Sequence, residues 1–327
     1  MKYAIGVSML ALLTGLATTS SRADDATPEQ LVDGLNAVFG KHAGARASHA
    51  KGVCVRGEFR PAAEAKDLSK AAPFANTVSV LGRFSMGGGK PNIPDATKGA
   101  PRGFAIRLDD AGRAATDLVT ISAPVFFAKT PAQVLGFLQA RVPGADGKPD
   151  PEKIKAFAAA NPDTTKQGAW LSSHPVPASY AGVNYWAVHA YTLTNAAGQA
   201  TPVKFKLTPS AGEAGLTDDE AKAKPADFYK ADLEERLAKG PVEFSLAAII
   251  GEASDPTDDP TAMWPENERR STTLGTVSLK GLAADSECDA ITFDPVNLAD
   301  GIAGPDRDPI FAVRSGTYAV SLTRRQQ

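Results

Sequence analysis

The sequence predicts an α+β fold: an antiparallel β-barrel of about eight strands with helical insertions and a long helix at the C-terminus. Three observations predict it. Short apolar-alternating runs bounded by Gly, Pro and Asp fall in two blocks. Helical periodicities separate and flank those blocks. The second block is followed by an amphipathic run that continues to the last residues.

"TPEQLVDGLNAVFG" (27–40) opens with Thr27-Pro28 and carries Leu31, Leu35 and Val38/Phe39 at helical spacing. The first block of strands is "GVCVRGEF", "TVSVLGRFSM", "GFAIRL" and "DLVTISAPVFF". Two helices follow at 130–142 and 150–162, each opened by Thr or Asp before Pro. The second block is "YWAVHAYTLTN", "TPVKFKLTP", "VEFSLAAIIGE" and "TTLGTVSLKGL", with a turn at Asn195–Gly198 and two polar helical pieces within "DDEAKAKPADFYKADLEERLAKG". "DPIFAVRSGTYAVSLTRRQQ" is the final helix.

Residues 1–23 read as a secretory signal peptide: Lys2, an apolar run from Ala4 to Ala17, then Ser21 and Ala23 at a small-x-small cleavage position. The run is short for a membrane span, and the expected location is a bacterial periplasm. Residues 24–327 then form a single domain of about 300 residues. A net charge of −2 gives no bulk attraction to nucleic acid or to an anionic membrane. Cys54 and Cys288 are far apart, and the residues leave open a disulfide or two buried thiols.

"MGGGKP" is not a phosphate loop, because Pro91 follows Lys90 where Ser or Thr is needed. No His or Cys pattern has metal-ligand spacing. "RASHAKG" places His49 between Arg46 and Lys51, so nearby cations should keep the imidazole neutral and able to act as a base near pH 7. Taken alone, an ordinary loop histidine is the commoner explanation of such a stretch. His42, His174 and His189 are read as surface or structural residues. In "RSGTY", Arg314 and Tyr318 are four residues apart and share a helix face, so the guanidinium can stabilise a phenolate. A phenolate oxygen is a strong ligand for ferric iron. Arg325 lies seven residues further on, with Arg324 beside it, and guanidinium groups suit carboxylates.

"RASHAKG", "GRFSMGGG", "APRGFAIRL", "DLVTISAPVFF", "DPTAMWPE" and "ITFDPVNLADGIAGPDRDPIFAVRSGTY" occur in this order. In that order they resemble the haem-containing catalase family, most closely its short exported branch of catalase-related peroxidases. The resemblance covers nearly all of the chain after the signal segment. It implies a catalase-type barrel that binds haem b, with a haem-ligand helix at the C-terminus. His49 matches the distal histidine that moves the peroxide proton, and Ser85 the serine that orients it. Tyr318 matches the iron ligand, as the family's haem ligation expects. Arg314 matches the residue that keeps Tyr318 ionised. Arg46, Arg83 and Arg325 match the arginines that hold the propionates.

The sequence departs from large catalases at three points. Their distal asparagine falls at Ile121, their distal stacking aromatic falls near Val134 by an ungapped count, and the chain stops two residues after Arg325. The expected activity is therefore a haem peroxidase with weak catalase activity. It would reduce organic hydroperoxides and hydrogen peroxide with a small-molecule electron donor, as protection against peroxide stress. Ser122 is the competing source of a distal polar group. A non-enzymatic haem carrier or sensor is the alternative function, but it has no need of a His-Ser pair. Homodimer and monomer both stay open.

Overall fold

The barrel is closed by pairing strands that are far apart in the chain. In the structure, a computed structural model, residues 25–112 and 115–327 are described; the signal segment expected at 1–23 lies outside them. The strands are β1 (Gly52–Pro61), β2 (Val78–Met86), β3 (Arg102–Asp109), β4 (Ala115–Ile121), β5 (Val176–Pro177) and β6 (Tyr185–Trp186). They continue with β7 (Tyr191–Thr194), β8 (Ala200–Pro209), β9 (Gly215–Leu216), β10 (Val242–Ile250), β11 (Ser271–Leu282) and β12 (Ile302–Ala303). The antiparallel order β10-β11-β1-β2-β3-β4-β6-β8 is closed by β8 pairing with β10, which makes an eight-stranded ring. The β7 and β12 strands extend the sheet from β8, and β5 pairs with β9 as a separate ribbon.

Alternation along the strands sorts side chains between inside and outside. Phe84, Phe104, Tyr180, Tyr185 and Phe244 are buried in the barrel core, with the Phe84 and Phe104 rings stacked 4.1 Å apart. Arg83 and Ser85 fall on the opposite face of β2, outside the barrel.

The first-block expectations hold, except that "DLVTISAPVFF" is strand only as far as Ile121, before Pro124. "YWAVHAYTLTN" is not one strand but β6 and β7, both on β8. Tyr185 faces Leu207 and Tyr191 faces Val203, so six residues of one side span four of the other. Ala187 N–H still donates to Phe205 O at 3.0 Å, but the slip frees Val188–Ala190 from the ladder and aims His189 out of the sheet.

The helices are α1 (Pro28–Phe39), α2 (Ala65–Leu68), α3 (Pro131–Gln139), α4 (Pro151–Ala160) and α5 (Lys166–Ser173). They continue with α6 (Asp218–Ala223), α7 (Phe228–Lys239), α8 (Asp285–Asp289) and α9 (Pro309–Arg325). Thr27, Thr130 and Asp150 cap α1, α3 and α4 through their side chains, as their positions before Pro predict. α1 packs against both α3 and α9, leaving space between these helices and the outer face of β2–β4. α5 and α8 were not visible as periodic patterns. No helix among the described residues is long and apolar enough to cross a membrane.

Cys54 of β1 and Cys288 of α8 form a disulfide, 234 residues apart in sequence. The pair packs with Phe293 on the outside of the barrel. Replacing both cysteines with alanine should lower stability by about 2–4 kcal/mol, since an unbridged unfolded chain has more freedom to lose. Urea midpoints of the wild type with and without reductant, beside the double variant, measure this. Equal midpoints would show that the bridge contributes nothing.

Candidate active site

The site lies in a cavity of about 680 Å³ between the outer face of β2–β4 and helices α1, α3, α5 and α9. α9 supplies one wall. Arg314 donates to the Tyr318 oxygen from Nε at 2.9 Å and again from Nη2. Arg314 Nη1 lies 2.8 Å from His189 Nε2. A guanidinium only donates, so Nε2 is the acceptor and the His189 proton sits on Nδ1. That Nδ1–H donates to Asp308 Oδ2 at 2.6 Å. Asp308 Oδ1 accepts the backbone N–H groups of Ile310 and Phe311 at 2.9 and 3.1 Å, capping α9.

This gives one line from the buried Asp308 and His189 to the half-buried Arg314 and Tyr318 at the cavity. Burial works against the Arg314 charge, but Tyr318 and then Tyr191 outweigh it, so its pKa is raised. Burial and then Arg314 push His189 down to about 4 against the pull of Asp308, so the ring is neutral at pH 7. His189 was read as surface or structural; it is structural, and it also orients Arg314. No spacing could reveal this, because its partners lie 119 and 125 residues away.

The facing wall carries His49, which has a positive φ of 54°. Its Nδ1 is 2.9 Å from Ser85 Oγ. Burial, then Arg83, Arg314 and Arg46, lower its pKa to about 4. The imidazole is therefore neutral at pH 7, as "RASHAKG" implied. Burial is the main cause, with the arginines second. With Nδ1–H donating to Ser85, the basic lone pair is on Nε2. Lys51 does not contribute to the cavity. It pairs with Asp95 at 2.7 Å and Asp227 at 2.6 Å and so anchors the segment that carries His49.

Ser85, Gly103 and Ile121 stand side by side across β2, β3 and β4. A Cβ at Gly103 would meet Ser85 Oγ at 2.5 Å and His49 Nδ1 at 2.8 Å, so only glycine lets this pair lie against β3. Ile121 lines the cavity. Ser122 lines a separate cleft, and its Oγ accepts the Arg102 N–H at 2.9 Å. Ser122 therefore does not replace the missing amide. Val134 lines the cavity together with Phe126, Phe127 and Phe137.

At one edge three arginines converge. Arg46 pairs with Asp289 and donates to Cys288 O at 2.7 Å. Arg325 donates to Asp289 O at 2.9 Å and Ile291 O at 3.1 Å. Arg83 donates to His49 O at 2.9 Å and Ala50 O at 3.0 Å. Burial and then Arg46 push Arg83 down to about 9 and Arg325 down to about 10. The cluster has more positive charge than its carboxylate balances. Arg324 is not part of it and pairs with Asp33 of α1.

The donor set suits haem: apolar walls for a flat body, three arginines for its carboxylates, and a phenol oxygen under two N–H donors for its iron.

Residues 29–326 match the family model described as Catalase. The chain belongs to the catalase family. It is 35% identical over 326 residues to the catalase-related peroxidase of Synechococcus elongatus, covering 98% of this chain and 95% of that one. It is 33% identical over 304 residues to the catalase-related peroxidase of Mycolicibacterium paratuberculosis, covering 91% and 95%. A fungal catalase crystal structure superposes with a TM-score of 0.76 at 22% identity, over 87% of this chain and 60% of that one. Catalase A from Saccharomyces cerevisiae superposes equally well, with a TM-score of 0.76 at 21% identity. These two show the shared barrel fold. Family membership makes the protein a haem enzyme of the peroxidase and catalase class.

Replacing Tyr318 with Phe removes the phenol oxygen but keeps the ring. The variant should lose haem or bind it with a displaced Soret band. An absorption spectrum identical to wild type would mean that another residue ligates the iron.

Proposed function

We propose that the protein is a periplasmic haem b peroxidase that reduces organic hydroperoxides in preference to hydrogen peroxide, using a small-molecule electron donor, as protection against peroxide stress. The observation that carries this reading is the row Ser85–Gly103–Ile121 under His49. It pairs a general base with an apolar neighbour. Export is supported by the pattern of residues 1–23 and by the Cys54–Cys288 bridge, which suits an oxidising compartment.

Bound haem supplies the iron redox chemistry that splits the peroxide O–O bond. Tyr318 would hold the iron, with Arg314 donating two hydrogen bonds to its oxygen, and Arg46, Arg83 and Arg325 would hold the propionates. His49 Nε2 takes the proton from the hydroperoxide O–H and returns it to the departing oxygen. Ser85 fixes the ring plane for both transfers. Two electrons and two protons from the donor complete the conversion of hydroperoxide to alcohol and water.

Replacing His49 with Ala should leave haem bound and cut the rate of peroxide reaction by roughly 10²–10⁴-fold. In the wild type the rate should hold from pH 7 to about 5 and fall toward about 4, where His49 gains its proton. Wild-type rates in the variant, or a fall centred near 6.5, would remove His49 from the role of base. Dismutation is a separate matter. A second hydrogen peroxide is small and fully polar, and Ile121 offers it neither donor nor acceptor. An alkyl tail gains from the same contact. In Ile121→Asn, oxygen evolution from hydrogen peroxide should rise and the preference for alkyl hydroperoxides should fall. Brisk oxygen evolution by the wild type would overturn the assignment.

A further inference from the structure

Arg141 is a cation of the cavity wall that the chemistry above does not use. It follows α3 directly and is half-buried. Its guanidinium carbon lies 3.4 Å from the centre of the Phe137 ring, and Nη1 donates to Phe137 O at 3.0 Å. These contacts fix the guanidinium plane but bring no negative charge. No carboxylate among the described residues is in ion-pair range of it. Its pKa is lowered by burial alone. Partly buried arginines are normally paired, because desolvating an unpaired charge is costly.

Arg141 also stands apart from the propionate-binding edge. It lies just past the end of α3, whereas Arg46, Arg83 and Arg325 lie before β1, on β2 and on α9, and none of the hydrogen bonds at that edge involves it. The Phe137 ring on which Arg141 stacks continues into Phe127 at 4.6 Å and Phe126 at 4.4 Å, and Ile154, Ala158 and Leu171 add further apolar lining to the cavity. A ligand that fits both features has a long apolar body and one carboxylate. A guanidinium receives a carboxylate through two parallel hydrogen bonds.

We propose that Arg141 binds the carboxylate of an amphipathic hydroperoxide, so that the preferred substrates are hydroperoxides of long-chain carboxylic acids. This rests on the peroxidase reading and narrows its substrate class. Arg141 is a specificity-determining residue. It holds the carboxylate end while the hydroperoxide group reaches His49, and the apolar chain lies along the phenylalanines between them.

The test uses haem-loaded protein with linoleic acid hydroperoxide, its methyl ester, and tert-butyl hydroperoxide. The wild type should show a KM about tenfold or more lower for the acid than for the ester, the size expected of a charge-assisted hydrogen bond. The discrimination should collapse in Arg141→Met and return only in part in Arg141→Lys, which restores the charge but not the paired hydrogen bonds. Equilibrium dialysis with oleate, which carries no peroxide, should show binding that weakens in Arg141→Met. Reduction of tert-butyl hydroperoxide with equal KM for acid and ester would overturn this inference and leave the peroxidase reading standing. Undiminished oleate binding in Arg141→Met would overturn it as well. Loss of haem from Arg141→Met would assign the residue to a propionate instead. If the wild type reduces none of the three hydroperoxides, the peroxidase reading fails and the substrate role of Arg141 with it.

Discussion

The half-buried guanidinium of Arg314 is the group on which the α9 half of the site depends. A charge taken out of water must be paired and fully hydrogen-bonded, and removing one partner of such a group costs about 3–5 kcal/mol. Here its N–H groups are divided between the Tyr318 oxygen and the His189 ring. The neutral histidine accepts that bond only because Asp308 holds its proton on the other nitrogen. Asp308 in turn caps α9 with its second oxygen. One carboxylate therefore sets the register of the helix and the tautomer of the ring. A slip of one residue in α9 would swing Arg314 and Tyr318 together by about 100° around the helix axis and break the Arg314–His189 contact.

The distal half is held by a different means, through backbone geometry and the absence of side chains. His49 adopts a left-handed conformation that costs about 1–3 kcal/mol in a residue other than glycine. The surrounding contacts hold it there. Ala47 N–H donates to Ser321 of α9 at 3.2 Å, Ala50 N–H donates to Gly88 O at 3.1 Å, and Lys51 is tied to Asp95 and Asp227. Glycine at 103 then makes room for the imidazole against the sheet.

Features that depend on near neighbours were legible in the sequence. The strands of the first block, the capped helices and the Arg314–Tyr318 pair all follow from spacings of two or four residues. The order of motifs, through family resemblance, pointed to His49, Ser85 and the edge arginines. Features made by partners distant in the chain were not legible. His189 reads as an isolated histidine until the β6–β7 slip aims it at α9. Asp289, the carboxylate beside Arg46, sits on a five-residue helix too short to show a period. The Cys54–Cys288 pairing needed the fold to bring the two residues together. The choice between Ile121 and Ser122 turned on strand register, where one residue decides the face.

The cavity draws its lining from Leu31 near one end of the chain to Arg325 near the other. No partial fold holds both His49 and Tyr318, so a cofactor that needs both walls recognises only the finished molecule. Every contact haem makes is then added to global stability rather than to the stability of one region. A ligand bound only to the native state at a hundredfold excess over its dissociation constant adds about 2.7 kcal/mol. Haem supply thereby becomes a quality check on the polypeptide. Copies that fold while haem is scarce should open more often and meet proteases first, as the lost binding contribution requires.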